Sequence, residues 1–344
     1  MRGLVKSILG NSLLTRVAAR RGSAALLVLM YHDLREDGDF GNWLRVRVSD
    51  FDAQLAQLGR LGRFVGPDAL SDPEVLDPER LNVLLTFDDG YVNNHRLALP
   101  QLASHRAPAL FFVSTRHMVE QAPFWPDVVI TAVQAGRLDT LDLREFGLGV
   151  HMFRPGDDEG RWDGIQHLLN AVKAVGNADH PTVAALLDHL RHRHAGLLDE
   201  HLPRFRPLNK AEVGEMAGSG WCVFGGHGHD HAILTYLDDE NLDYNLREPR
   251  RILEDASGAP VIDLAYPNGD FDERVVARAA AAGYTRAYTT RIGLTRPETP
   301  PLRLPRLGVG GYDSPSVLRY RLNRLLLEGR GSWRSFAQGM RSST

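Results

Sequence analysis

Apolar runs that suit buried strands alternate along the chain with segments whose apolar residues recur at helical spacing. The strand-like runs are 25–31, 82–87, 109–113, 221–224, 261–266 and 286–289. The helical segments between them are 49–61, 93–105, 240–256 and 271–282. Such alternation predicts a parallel sheet flanked by helices, either open or closed into a barrel. Pro249 predicts a break or a kink in the third helical segment.

The alternation stops after Arg116 and resumes near residue 209. The intervening helical segments are 125–134, 162–175 and 181–198, with little strand signal. We therefore predict a mainly helical insertion at 117–208 that caps one end of a main domain at 25–312. The histidines of its segment 189–194 are more typical of a solvated helix face than of a metal site.

Both ends of the chain are basic and amphipathic. The first 21 residues contain five Lys or Arg residues and no acid, and the stretch 313–344 is similarly biased. We predict an N-terminal helix at 1–24 and a C-terminal helix and tail at 313–344, which either pack on the domain or lie on an anionic membrane surface. Polar residues interrupt the first apolar run, so we expect no secretory signal. The expected location is cytoplasmic, peripheral at the inner face of the cell membrane.

Composition excludes several classes of protein. The 344 residues carry 40 Lys and Arg against 43 Asp and Glu, a net charge of −3, whereas a dedicated nucleic-acid binder is normally basic. The single cysteine, Cys222, excludes an internal disulfide and a cysteine-based zinc cluster. The chain has no apolar run of the length that spans a membrane.

The sequence Thr-Phe-Asp-Asp-Gly at 86–90 ends a predicted strand with two adjacent carboxylates, Asp88 and Asp89. The carboxyl ends of strands are where α/β folds collect catalytic groups. Adjacent acids are costly to keep ionised together unless a cation neutralises them. A simple turn is the alternative, since Asp-Gly is a common turn dipeptide.

Three further patterns follow predicted strands. His227, His229 and His231 alternate on a glycine-rich segment, which suits either a metal site or a histidine-rich surface turn. The sequence Ala-Tyr-Pro-Asn-Gly at 265–269 is by itself a strand-to-helix turn. His32 ends the first strand in Leu-Met-Tyr-His, and a lone histidine there is more often structural than catalytic.

Together and in this order, the motifs at 86–90, 227–231 and 265–269 resemble the polysaccharide deacetylase family, also called the NodB-homology or carbohydrate esterase family 4 enzymes. The resemblance covers about 26–118 and 209–310 and skips most of the insertion. The Leu-Met-Tyr-His strand is similar to the branch that includes poly-N-acetylglucosamine deacetylases. The family implies an α/β fold, a distorted seven-stranded (β/α) barrel.

The resemblance also implies roles for the first two motifs. Asp88 would be the general base, and Asp89 would bind a divalent metal with His227 and His231. Zinc suits these ligands, with cobalt or nickel as alternatives. His229 falls between the family's ligands and would orient a neighbour or face solvent.

The remaining roles are implied less directly. The resemblance to the Leu-Met-Tyr-His branch implies that the histidine of the first strand, here His32, is the general acid. The family's usual C-terminal acid histidine is missing, because no histidine follows His231. Backbone of the third motif, at Tyr266, Pro267 and Asn268, would help to form the oxyanion site. Many family members carry an arginine in this motif that pairs with the base, but this chain has Ala265 there. Arg306 is our candidate to replace it from another strand.

The function expected from the resemblance is metal-dependent removal of acetyl groups from N-acetylated sugars of a polysaccharide or a glycan precursor. The alternatives are a hydrolase of the same fold acting on an O-acetyl ester or another amide, and a non-catalytic carbohydrate-binding relative. Trp125, Phe153 and Trp162 of the insertion could stack on a sugar or form the insertion's own core, and we favour the core.

Overall fold

The structure, a computed structural model, describes residues 25–156, 158–176 and 179–328. The N-terminal helix predicted at 1–24 and the part of the C-terminal tail after residue 328 lie outside these ranges. No helix in the described part of the chain combines the length and the apolar character needed to cross a membrane.

The elements alternate between strands and helices as the hydrophobic pattern predicts. The strands are β1 Leu26–Tyr31, β2 Asp33–Arg35, β3 Arg45–Arg47, β4 Gly62–Phe64, β5 Leu81–Phe87, β6 Ala109–Val113, β7 Thr140–Asp142, β8 Val150–Met152, β9 Cys222–Gly226, β10 Asp263–Ala265, β11 Arg286–Tyr288 and β12 Leu307–Gly308. The α-helices are α1 Val48–Leu61, α2 Leu99–His105, α3 Thr115–Glu120, α4 Trp125–Gln134, α5 Asp158–Val175, α6 Pro181–Arg193, α7 Ala195–His201, α8 Lys210–Gly218, α9 Asp239–Ser257, α10 Glu273–Ala281 and α11 Pro315–Glu328.

Seven parallel strands form the curled central sheet, in the order β11-β10-β9-β6-β5-β1-β12, and the short β4 pairs with the start of β5. The segment 304–308 closes the curl. Its first residue, Leu304, bonds to β11 through the N–H to the Ala287 carbonyl at 2.8 Å, and Leu307 pairs with Leu29 of β1. The predicted seven-stranded distorted barrel is confirmed.

The strands are buried on both faces, which explains their continuous apolar sequences. Alternate residues such as Val28, Leu84 and Phe112 point into the barrel and form one apolar cluster there. Their neighbours, such as Leu29 and Leu85, pack with the surrounding helices in the main core. Because the strands are parallel, their carboxyl ends all lie at the same rim of the barrel, where the motifs follow β1, β5, β9 and β10.

The insertion has a core of its own, built from α4 to α7 and the β7–β8 hairpin. Phe153 is buried in that core, and Trp125 and Trp162 pack against it. These aromatic rings therefore serve the insertion's packing, as we expected. The predicted helix at 181–198 is divided at His194, whose backbone leaves the helical region at φ −121° and ψ 26°.

Helix α9 is not broken at Pro249, and this alternative of our prediction is wrong. The helix runs from Asp239 to Ser257 with the proline inside it. Proline removes one backbone donor from a helix interior. The buried residues Leu242, Leu246 and Leu253 on both sides of the proline hold the helix against the barrel.

Candidate active site

The first motif continues β5 to the rim of the barrel. The Asp88 N–H donates to the Tyr31 carbonyl at 2.9 Å, so the base candidate still belongs to the β1–β5 ladder. The next residue, Asp89, has a φ of 73°, which is rare for a residue other than glycine. Strained backbone of this kind concentrates at functional sites. The turn sends the two neighbouring carboxylates in different directions.

Gly90 makes this turn possible. Its φ is 84°, and a Cβ on it would lie 2.9 Å from Cγ1 of Val113 on β6. Only glycine combines that backbone conformation with so close an approach. The Asp-Asp-Gly sequence therefore codes for the geometry that separates Asp88 from Asp89.

Asp89, His227 and His231 converge at this rim. Oδ1 of Asp89 lies 3.4 Å from Nε2 of His227 and 3.2 Å from Nε2 of His231. Two ligands of a tetrahedral zinc ion, each about 2.0–2.2 Å from the metal, are roughly 3.3–3.6 Å apart. The three residues thus present their lone pairs at the spacing that a divalent metal requires. His231 is the most open of the three, with 32% of its side chain exposed.

Neighbouring groups hold the ring of His227 and the loop between His227 and His231 in place. Nδ1 of His227 lies 2.9 Å from the Ala265 carbonyl of β10, which holds the proton on Nδ1 and leaves Nε2 as a ligand atom. Oδ1 of Asn245, on α9, accepts the backbone N–H groups of His229 and Asp230 at 3.0 and 3.2 Å. Asn245 therefore shapes the loop between the two ligands, a role that the sequence pattern did not indicate.

His229 points away from the other two histidines. Its Nδ1 lies 2.9 Å from Oγ1 of Thr115, and its Nε2 lies 3.4 Å from the hydroxyl of Tyr244. Both ring nitrogens of His229 therefore have partners outside the group formed by Asp89, His227 and His231, which we call the triad. This placement agrees with the expectation that His229 lies between the ligands without being one.

Arg306 and Asp88 form a bidentate ion pair in the barrel interior. Nη1 donates to Oδ1 of Asp88 at 2.6 Å, and Nη2 donates to Oδ2 at 2.8 Å. The guanidinium is fully buried, and its Nε donates to the Thr289 carbonyl at 3.0 Å. Arg306 thus pairs with Asp88, the base candidate, where Ala265 offers no charge.

The charges at the rim keep both carboxylates ionised. Burial acts to raise the pKa of Asp88, but Arg306, together with His227 and His32, outweighs it and the pKa lies below its usual value. Burial also opposes ionisation of Asp89, yet with no metal bound, hydrogen bonds from His227 and His231 hold its pKa well below the usual value. A bound cation would favour the ionised form of Asp89 further.

His32 lies at the same rim, beside the ring of Trp43 at a centroid distance of 5.6 Å. Its Nδ1 is buried and has no hydrogen-bond partner among the described residues. Burial lowers the pKa of His32, while the charges of Asp89 and Asp88 act to raise it. An unsatisfied buried nitrogen requires an explanation, and a catalytic role or a bound water molecule provides one.

The third motif supplies fewer backbone donors than its three residues suggest. The Tyr266 N–H donates to the Tyr288 carbonyl at 3.1 Å in the sheet, and Pro267 has no N–H. Asn268 adopts a φ of 58° and is the residue of the three that could offer a backbone donor to an oxyanion. The Tyr266 ring stacks on Phe271 at 5.0 Å.

Sequence reasoning missed the contact of the insertion with this site. Phe124, just before α4, lies 5.5 Å from the ring of His231 and 5.4 Å from that of Tyr91. The Tyr91 hydroxyl donates to Asp127 of α4, 3.1 Å from Oδ2. A signal was present, since Asp127 is the one charged residue of α4.

Comparisons with known proteins point to one family. The family model described as polysaccharide deacetylase matches residues 77–140 and 174–287. YxkH of Bacillus subtilis (strain 168), named as a candidate polysaccharide deacetylase, is 26% identical over 173 residues. That match covers 47% of this chain and 61% of YxkH, so it spans less than two thirds of the relative.

Solved structures share the fold at low sequence identity. The Streptococcus pyogenes deacetylase PplD, in complex with acetate, is 18% identical, with a TM-score of 0.56 over 86% of this chain and 97% of PplD. IcaB from Ammonifex degensii is 20% identical, with a TM-score of 0.52 over 88% of this chain and 98% of IcaB. Since the family model matches just over half of the 344 residues and includes the first two motifs, this chain belongs to the polysaccharide deacetylase family.

Proposed function

We propose that the protein is a metal-dependent deacetylase that removes acetyl groups from an N-acetylated sugar of a polysaccharide or glycan precursor. The observation that carries this proposal is that two adjacent carboxylates at one rim have different partners. Arg306 holds Asp88 as an ionised base, while Asp89 converges with His227 and His231. Amide hydrolysis needs both a proton acceptor and an electrophile at the carbonyl.

Asp89, His227 and His231 would hold the metal, with zinc favoured and cobalt or nickel as alternatives. When bound, such an ion lowers the pKa of a water molecule and polarises the acetyl carbonyl. One aspartate and two histidines leave coordination positions open for both groups. The buried Nδ1 contact of His227 with Ala265 keeps this ligand's ring oriented.

The other side chains would move the protons. Asp88 accepts a proton from the attacking water, and the Arg306 pair orients its carboxylate for that step. The lowered pKa of His32 makes its protonated form a stronger acid toward the departing amine. A backbone donor at Asn268 would stabilise the oxyanion.

The test is acetate release from matched N-acetylated and O-acetylated oligosaccharides by chelated enzyme and by enzyme restored with zinc, cobalt or nickel. We expect release from the N-acetylated sugars only after metal is restored. Release that survives chelation would contradict the metal dependence. Release from the O-acetylated set alone would contradict the N-deacetylase assignment.

We further propose that the substrate is a precursor handled at the inner face of the cell membrane, to which the protein binds peripherally. The support is the basic sequence of α11, with Arg319, Arg321 and Arg324. The helix itself packs on the domain through the buried Leu318 and Leu322, and Arg321 pairs with Asp313. We expect co-sedimentation with vesicles that contain anionic lipid, and its loss at high salt. Equal binding to neutral vesicles, or no binding to either kind, would contradict this proposal.

A further inference from the structure

Helix α5 of the insertion brings a lysine to the third motif of the barrel. Nζ of Lys173 donates a hydrogen bond to Oδ1 of Asn268 at 3.2 Å. The amide nitrogen of Asn268 in turn donates to Oδ2 of Asp270 at 2.7 Å. A side chain from the insertion thus reaches a residue that follows β10 at the rim.

This motif lies directly against the metal-ligand triad. The Ala265 carbonyl, three residues before Asn268, bonds to His227. A Cβ placed on Gly228 would lie 3.3 Å from Cγ of Pro267, so the turn also packs on the loop between His227 and His231. The ammonium of Lys173 is therefore located at the edge of the proposed catalytic site.

The electrostatics agree with that position. Desolvation lowers the pKa of Lys173, while the charges of Asp89 and Asp270 act to raise it. Asp89 is a member of the triad, so the two residues are close enough to interact through their charges. The charge of Asp89 acts on the Lys173 ammonium independently of the hydrogen bond between Lys173 and Asn268.

The ammonium has donors to spare. Among the residues that the structure describes, its hydrogen-bond partner is the neutral amide oxygen of Asn268. An ammonium carries three donors, so two can bind water or a ligand. The nearby carboxylate of Asp270 accepts from the Asn268 amide instead.

A second cation flanks the same motif. The guanidinium of Arg291, which follows β11, lies over the ring of Phe271 at 4.7 Å from its centroid. Among the described residues, the Phe271 ring is the partner that we find for the Arg291 guanidinium. The guanidinium of Arg303 also lies 5.9 Å from the centroid of this ring but pairs with Glu273, so the rim beside the third motif combines several cations with an aromatic surface.

We propose that Lys173 is a specificity-determining residue that binds an anionic substituent, a phosphate ester or a carboxylate, on the N-acetylated sugar. This inference rests on the proposed function and narrows its substrate class. A lysine suits this task because a compact ammonium can bond an anionic oxygen without the planar match that arginine requires. It also gives the insertion a role in substrate choice.

The experiment compares zinc-loaded wild type with Lys173→Met and Lys173→Arg. The probes are N-acetylglucosamine 1-phosphate, N-acetylmuramic acid and the neutral methyl glycoside of N-acetylglucosamine. For Lys173→Met we expect KM to rise about tenfold or more on the anionic probe that the site prefers, with kcat nearly unchanged. KM for the neutral probe should not change, and Lys173→Arg should restore most of the loss. The response of the phosphate and the carboxylate probes identifies which anion is bound.

Lys210→Met is the matched control, since Lys210 pairs with Asp255 at the surface of α8 and α9. It should leave all three KM values unchanged. An equal loss on neutral and anionic probes in Lys173→Met would overturn the inference, because it would mean that Lys173 only braces the third motif.

A binding arm separates this inference from the proposed function. If wild type deacetylates none of the probes, the proposed function fails on these substrates, and calorimetry still measures the affinity of the zinc-loaded protein for the two anionic probes. Phosphate or carboxylate can bind zinc in both proteins alike, so the difference between wild type and Lys173→Met reports Lys173. Tighter binding by wild type supports the inference, and equal affinities overturn it.

Discussion

Arg306 and Asp88 are 218 residues apart in sequence and form a bidentate ion pair that is closed to solvent. Arg306 lies on the segment that closes the barrel between β11 and β1. The same guanidinium is fixed by the Thr289 carbonyl, so the Asp88 carboxylate is held by a rigid fork. The segment that closes the barrel therefore also orients the carboxylate of the proposed base.

Replacing Arg306 with Lys should lower kcat for deacetylation by about tenfold and replacing it with Gln by about a hundredfold, since a misoriented base loses part of the 10²–10⁴ that such catalysis supplies. A lysine keeps the charge but cannot bond both oxygens of Asp88. Steady-state kinetics on an N-acetylated substrate measures the effect. Zinc content should stay near wild type in both variants.

The Gln variant also leaves Asp88 buried without its partner, which costs stability. Unfolding by urea therefore accompanies the kinetics, and activity is compared where each variant is fully folded. A Gln variant with wild-type kcat would contradict the role that we assign to the pair.

The two adjacent aspartates should separate in a metal-binding assay. Asp89→Asn should abolish stoichiometric zinc binding and the rise in Tm that zinc gives wild type, because it weakens one of three ligands. Asp88→Asn should keep zinc content near wild type while acetate release disappears. Metal analysis after dialysis and thermal unfolding with and without zinc measure these outcomes. Loss of zinc from Asp88→Asn would argue against its role as the base.

Much of the barrel could be predicted because its strands are long apolar runs. The six residues of β1 and the five of β6 are buried on both faces, and this burial is encoded in consecutive apolar residues. The first two motifs could be read because Asp88, Asp89, His227 and His231 stand at the ends of such runs. Their proximity follows from parallel strand order.

Other features depend on tertiary structure that no local pattern encodes. The closing strand β12 has only two residues and no apolar run predicts it, so our expectation that Arg306 pairs with the base had no strand pattern behind it. The contacts of Phe124 with His231 and of Lys173 with Asn268 require the docked position of the insertion. The buried cluster of Asp263, Arg286 and Tyr288 at the other end of the barrel likewise forms only because β10 and β11 pair, so no local pattern predicts it.

His117 should make stability depend on pH in a defined window. Burial lowers its pKa to about 4, against 6.5 in an unfolded chain. Between these values the unfolded chain binds more protons, so the free energy of unfolding should fall as pH decreases from 6.5 to 4, by at most about 3 kcal/mol. Above pH 6.5 this contribution is fully present.

Urea unfolding of chelated protein across that window measures the effect. His117→Gln should flatten the pH dependence relative to wild type. His192→Gln is the matched control, since His192 is exposed on α6, and it should leave the slope unchanged. A wild-type slope in His117→Gln would contradict the prediction.

Asp127 should destabilise the protein progressively as pH rises, through a carboxyl group that the fold keeps neutral. Burial raises its pKa well above the usual value, and the charge of Asp89 acts in the same direction. Because the unfolded chain releases this proton above its ordinary pKa while the folded chain retains it, the stabilising contribution is full at low pH and declines as pH rises toward the folded pKa.

Asp127→Asn keeps the shape and an acceptor for Tyr91 but cannot ionise in either state. Its free energy of unfolding should therefore rise relative to wild type between pH 4 and pH 7. Parallel urea titrations of both proteins measure that difference, and a difference that stays constant with pH would show that Asp127 is ionised in the folded protein.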